Sequence, residues 1–190
     1  MKKLIAILLV LTMMFALVAC GGEEEPKNET PKTEAPADGG DVAVAGDTYN
    51  AGNFSALIPD GWMELPVTDM WSEDNAIDPD HLQIIKDGTS EFDTLTKAYV
   101  DITLYGPETD MMTPSSEWYE EATELEGFTA GGMTWNGFSA VSGGNPMTVV
   151  YTGDAGGNQY QVTLWSNGDN TISVTDADVL AILASLTPAA

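Results

Sequence analysis

Within Glu73-Asp74-Asn75-Ala76-Ile77-Asp78-Pro79-Asp80-His81 the chain gathers four carboxylates and its only histidine. A hard cation such as Ca²⁺ prefers several oxygen ligands from one loop, which makes Asp74, Asp78 and Asp80 the candidate metal ligands. The segment lacks the Asp-x-Asp-x-Asp-Gly register and the distal Glu of an EF-hand, and Pro79 among Asp, Asn and Ser is ordinary turn composition. A solvated loop is therefore the competing reading. His81 has the chemistry of a general base, or of a metal ligand beside Asp78 or Asp80, but it also borders a strand expected from Leu82 and can simply cap it.

Other chemistries find less support. A serine nucleophile has no Gly-x-Ser-x-Gly elbow, and a single histidine to serve it. With 23 Asp and Glu from Asp47 onward, carboxylate pairs of the glycosidase kind can be drawn almost anywhere and carry no information. Gly131-Gly132, Gly143-Gly144 and Gly156-Gly157 lack the Lys-Ser/Thr and the strand-to-helix setting of a phosphate loop; they suit turns between strands. Met63, Met70, Trp71, Met111 and Met112 would line an apolar docking patch or fill core. Catalysis is not expected.

The charge balance narrows the partners. Net charge is −24, all six basic residues are lysines, and only Lys86 and Lys97 accompany the 23 acids from Asp47 onward. No guanidinium exists to grip phosphate or carboxylate bidentately, and nucleic acid and anionic lipid headgroups are repelled. Such acidity keeps an exposed domain soluble, or attracts cations or a basic partner. The one cysteine, Cys20, leaves none with which to form a disulfide inside the chain.

Lys2 and Lys3 precede an apolar run from Leu4 to Val18, interrupted only by Thr12. The run has the length of a signal h-region and is short for a spanning helix, which needs about 20 residues. It ends in Leu17-Val18-Ala19-Cys20, which resembles the lipobox of bacterial lipoproteins. The resemblance implies a diacylglyceryl group on the Cys20 thiol and cleavage just before it, so that residues 1–19 are a signal peptide and Cys20 is the lipid-bearing first residue. Two acyl chains at about 0.8 kcal/mol per buried CH₂ hold a protein on a membrane where one chain holds it marginally.

Residues 20–46 follow as a Pro-, Glu-, Thr- and Lys-rich stretch without aromatics, the composition of a disordered tether. Within it Asp41-Val-Ala-Val-Ala45 is a conceivable edge strand. The globular domain is expected over 47–190, with its aromatic, alternating character setting in at Asn53. Phe54 to Ile58 reads as a strand, Pro59-Asp60-Gly61 as a tight turn, and Trp62 as the start of the next strand. Further strands are expected at Leu82–Asp87, Tyr99–Gly106, Thr134–Ser142, Met147–Thr152 and Gln159–Ser166. In the second of these, Val100, Ile102 and Leu104 oppose Asp101 and Thr103. Thr113-Pro114 to Gly127 is expected as an amphipathic helix presenting Trp118, Ala122 and Leu125 on one face. A terminal helix would place Val179, Ile182, Leu183 and Leu186 on one face, opened by an approximate capping box of Thr175 and Asp178.

This order predicts an α+β fold, an antiparallel β-sheet flanked by helices. Phe54-Ser-Ala-Leu-Ile-Pro-Asp-Gly-Trp62 resembles the "F-x-x-x-x-P-x-G-W" opening of PsbP-like domains, and the later Trp135-Asn-Gly-Phe138 strand and the ending Ile182-Leu-Ala-Ser-Leu186 are similar too. The resemblance spans Asn53 to Thr187. It implies an α/β/α sandwich, a docking or accessory role with no catalytic residues to carry over, and a structural part for Pro59, Gly61 and Trp62. The expected protein is a lipid-anchored, extracytoplasmic module held to the membrane through Cys20, with an envelope protein as possible partner. A calcium- or cation-binding domain is the alternative, and an envelope hydrolase acting through His81 comes last.

Overall fold

Strict alternation over Tyr99–Tyr105 and Gln159–Trp165 makes two strands that sort their side chains to opposite faces. A computed structural model describes residues 43–189 and places these strands side by side at the centre of a large sheet. In chain order the strands are β1 (Gly46–Asn50), β2 (Phe54–Pro59), β3 (Trp62–Thr68), β4 (Ile77–Lys86), β5 (Tyr99–Tyr105), β6 (Glu120–Glu124), β7 (Phe128–Ala130), β8 (Met133–Ser142), β9 (Asn145–Gly153), β10 (Gln159–Trp165) and β11 (Thr187–Pro188). A single α-helix among the described residues, α1 (Ala177–Ser185), precedes β11. The large sheet is antiparallel throughout in the order β3-β4-β5-β10-β9-β8-β6, with β7 also on β8, and a small sheet runs β1-β2-β11.

One face of the large sheet carries Leu82, Ile84, Val100, Ile102, Val150, Tyr160, Val162 and Leu164, all sealed from solvent. Phe54 and Ala56 of β2 and Val179, Ile182 and Leu183 of α1 cover it. Phe54 meets Tyr160 edge-to-face at 6.2 Å. At roughly 1.5–3 kcal/mol for each large apolar side chain, this layer dominates the stability.

The Pro59-Asp60-Gly61-Trp62 turn links the layers. Gly61 takes φ +85°, open to glycine at no steric cost, and the chain passes from the small sheet into the large one, since β2 and β3 do not pair. Trp62 then packs against the core, its indole N–H donating to Asp178 Oδ2 at 3.1 Å on α1, with Lys86 Nζ 6.0 Å from the ring centre. Asp178 is thus engaged across the layer and forms no capping box with Thr175. The N-cap residue is Asp176, whose carboxylate takes the Ser173 N–H and hydroxyl.

The mid-chain helix expected over Thr113–Gly127 is absent. A 3₁₀ turn at Ser116–Trp118, capped by Ser115, leads into β6, which pairs with the edge of β8. Glu117, Glu120, Glu121 and Glu124 stand three and four residues apart, so a helix would stack like charges with no lysine among them, whereas β8 offers unpaired backbone groups. Glu121 at φ +52° makes a bulge in the pairing. Tyr119 and Ala122 pack towards Phe138 in a second small cluster. Among the described residues the sandwich is therefore covered by a helix on one face only. Two boundaries also shift. β4 begins at Ile77, drawing Asp78, Pro79 and Asp80 out of the expected loop, and strand pairing reaches back to Gly46, just after the conceivable edge strand at Asp41–Ala45.

Gly137 lies inside β8, where a Cβ would stand 2.0 Å from the Val149 carbonyl oxygen of β9. Gly137→Ala is expected to destabilise the fold by about 1–3 kcal/mol or more, read as a lower urea midpoint. Ser139→Ala on the same strand, which loses one hydrogen bond of 3.5 Å, should change it little. Equal midpoints for the two variants would contradict this packing.

Candidate functional site

The alternation that fills the core also projects a second set of side chains from the opposite face of the large sheet. His81 and Gln83 come from β4, Tyr99, Asp101, Thr103 and Tyr105 from β5, Gln161, Thr163 and Trp165 from β10, and Tyr151 from β9. The register places Gln83 beside Asp101, Asp101 beside Thr163, Thr103 beside Gln161, and Gln161 beside Tyr151. All are partly buried.

Asp101 organises this face. His81 Nε2 lies 2.8 Å from its Oδ1, and Gln83 Nε2 donates to its Oδ2 at 2.8 Å. The hydrogen bond to Asp101 pushes the His81 pKa above its ordinary 6.5; burial opposes the shift, and the charges of Asp101 and Asp78 add to it. Burial raises the Tyr99 and Tyr105 phenols, with the Asp101 charge contributing. Tyr99 stacks on Trp165 across the strand pair, ring centres 6.2 Å apart and planes 21° apart. The arrangement presents hydrogen-bonding groups of both polarities beside flat aromatic surface, the chemistry of recognition.

The expected cation ligands are dispersed among other tasks. Asp74 is exposed in the β3–β4 turn, its N–H donating to Ser72 Oγ. Asp78 Oδ1 accepts the Asp80 N–H at 2.9 Å, and Asp80 Oδ1 accepts from Asn53 Nδ2 at 2.9 Å. Among the described residues no group of three or more His, Cys, Asp or Glu side chains converges as metal ligands. His81 sits within β4, turned to Asp101 and not to Asp80. Met70 and Trp71 stand exposed in the β3–β4 turn, as does Met112 ahead of β6. Cys20 lies outside the described residues.

Gln83 and Trp165 were not singled out in the sequence, and Asp101 was marked there only as an outward residue of its strand. The available signal was the outward half of each alternating strand, and it remains scattered until the sheet order brings β4, β5 and β10 together.

No protein-family model matches the chain, and no curated protein matches it. Among solved structures it is similar to cyanobacterial PsbP (CyanoP) from Synechocystis sp. PCC 6803, at 12% identity and a TM-score of 0.43, over 80% of this chain and 98% of that one. It is also similar to LpqN, involved in cell envelope biogenesis of Mycobacterium tuberculosis, at 16% identity and a TM-score of 0.42, over 77% of this chain and 87% of that one. Both likenesses concern strand arrangement and say nothing of chemistry.

Because folding raises the His81 pKa, the protonated ring stabilises the native state. That contribution is complete below the unfolded value of about 6.5 and is lost as pH rises through the folded value. The melting temperature should therefore fall as pH is raised from about 6 to about 8, and Asp101→Asn should flatten the slope. An unchanged slope in Asp101→Asn would contradict the pairing.

Proposed function

We propose that this chain is a lipid-anchored, extracytoplasmic module of the cell envelope with a PsbP-like domain, and that it docks on an envelope protein through the outward face of its large sheet without catalysis. The observation that carries the docking reading is the Asp101-centred face. Its polar and aromatic side chains are held in fixed register on rigid strands, partly buried against one another, and no helix among the described residues lies over them. A side chain already half desolvated and ordered loses less on meeting a partner than a free surface residue does.

The anchoring reading rests on Leu17-Val18-Ala19-Cys20 after the apolar run, and on the polar stretch that follows. No helix among the described residues is long and apolar enough to cross a membrane. The PsbP-like reading rests on the Phe54–Trp62 opening, which folds as strand, tight turn and strand. A strongly acidic domain carrying two lysines favours a partner with basic residues at its rim.

Cys20→Ser should abolish incorporation of labelled palmitate and move the chain from the membrane pellet to the supernatant. Thr163→Arg, at the centre of the face, should reduce a co-purifying envelope protein by about tenfold or more while the circular dichroism spectrum stays that of the folded domain. Label retained in Cys20→Ser would overturn the anchor. Undiminished recovery with Thr163→Arg would overturn the docking face.

A further inference from the structure

At the end of the large sheet where β9 turns into β10 lies a hollow of about 650 Å³, walled by Met111, Met133, Asn136, Tyr151, Asp154 and Gln159 among others. Its volume is within the range of small-ligand sites, roughly 300–1,000 Å³. We infer that this hollow, which adjoins the Asp101 face at Tyr151, binds an uncharged saccharide, an inference argued from the hollow's own lining.

The charges in its wall argue for a neutral ligand. No lysine lines the hollow, so an anionic group would give up hydration and find no counter-charge. The Asp154 carboxylate is already committed to the turn: its Oδ1 accepts the Gly156 N–H at 2.7 Å and the Asn158 N–H at 2.9 Å, and its Oδ2 accepts from Asn158 Nδ2 at 2.9 Å. Those donors hold its pKa below the usual carboxylate range and engage both of its oxygens within the turn.

The remaining groups fit hydroxyls beside apolar C–H surface. Gln159 Oε1 takes the Met111 N–H at 3.4 Å, which frees its Nε2 to donate. The exposed Asn136 side chain, with a donor and an acceptor on one amide, stands across the strand pair from Tyr151. The partly buried Tyr151 ring offers a flat surface to the C–H face of a pyranose, and the two methionines supply adaptable apolar wall. A peptide strand is disfavoured, because β9 and β10 are each paired on both sides and offer no free edge to extend.

The test uses the full chain, titrated calorimetrically and followed by backbone amide shifts, with two uncharged trisaccharides, triacetylchitotriose and maltotriose. Trigalacturonate, the deacetylated cationic chitotriose and a capped trialanine serve as comparisons. Saturable binding of at least one neutral sugar is expected with Kd at or below about 1 mM, with shifts concentrated in residues 131–136 and 151–159. Asn136→Ala and Gln159→Ala should each weaken it about tenfold while leaving the melting temperature unchanged. Absence of saturable binding by both neutral sugars at about 10 mM, binding that survives both variants, or equal or tighter binding of a charged sugar or of the peptide would overturn the inference.

Discussion

The antiparallel pairing of β5 with β10 is the contact on which the rest of this structure depends. β3, β4 and β5 form one run of neighbouring strands, and β8, β9 and β10 form another; each is built from local turns. Only the seam from Tyr99↔Trp165 to Tyr105↔Gln159 joins them into one sheet. Closing it across the intervening chain costs loop entropy before any reward. The reward is that Val100, Ile102 and Leu104 align with Tyr160, Val162 and Leu164 into one continuous layer that Phe54 and α1 can cover. The same closure places Asp101 between Gln83 and Thr163, so the core and the outward face have one origin.

Much of this is legible in the sequence. Alternation in Tyr99–Gly106 correctly separated inward from outward residues, Gln159–Ser166 was read as a strand, and the Pro59-Asp60-Gly61 turn and the apolar stripe of α1 fell where expected. The reading failed at Thr113–Gly127, where Trp118, Ala122 and Leu125 have helical spacing but the open edge of β8 captures Glu120–Glu124 as a strand. Composition suggested a loop at Asp78–Asp80, whereas pairing with β5 from His81 onward carries strand geometry back through Pro79. In both places a tertiary partner overrode a local preference. The His81–Asp101 pair was invisible for the same reason: twenty residues separate its members, and only the register makes them neighbours.

Electrostatics gives that pair unusual weight. In a domain with two lysines, one of them tied to Asp93 at 3.1 Å, a half-buried carboxylate has few cations to draw on. Asp101 is met by an imidazole and an amide, so its environment changes with the protonation of His81. The outward face thereby carries one group sensitive to pH near neutrality, in a chain of strongly negative net charge.

We propose that this outward face, and not the helix-covered side, meets the partner. Photocrosslinking in cells tests it most directly, with the crosslinker placed at Thr103 or Thr163 on the face and at Thr175 or Ala184 on the opposite layer, the latter two both exposed. One discrete crosslinked protein is expected from Thr103 and Thr163 and none from Thr175 or Ala184. The same product from the opposite layer, with silence from the face, would contradict it.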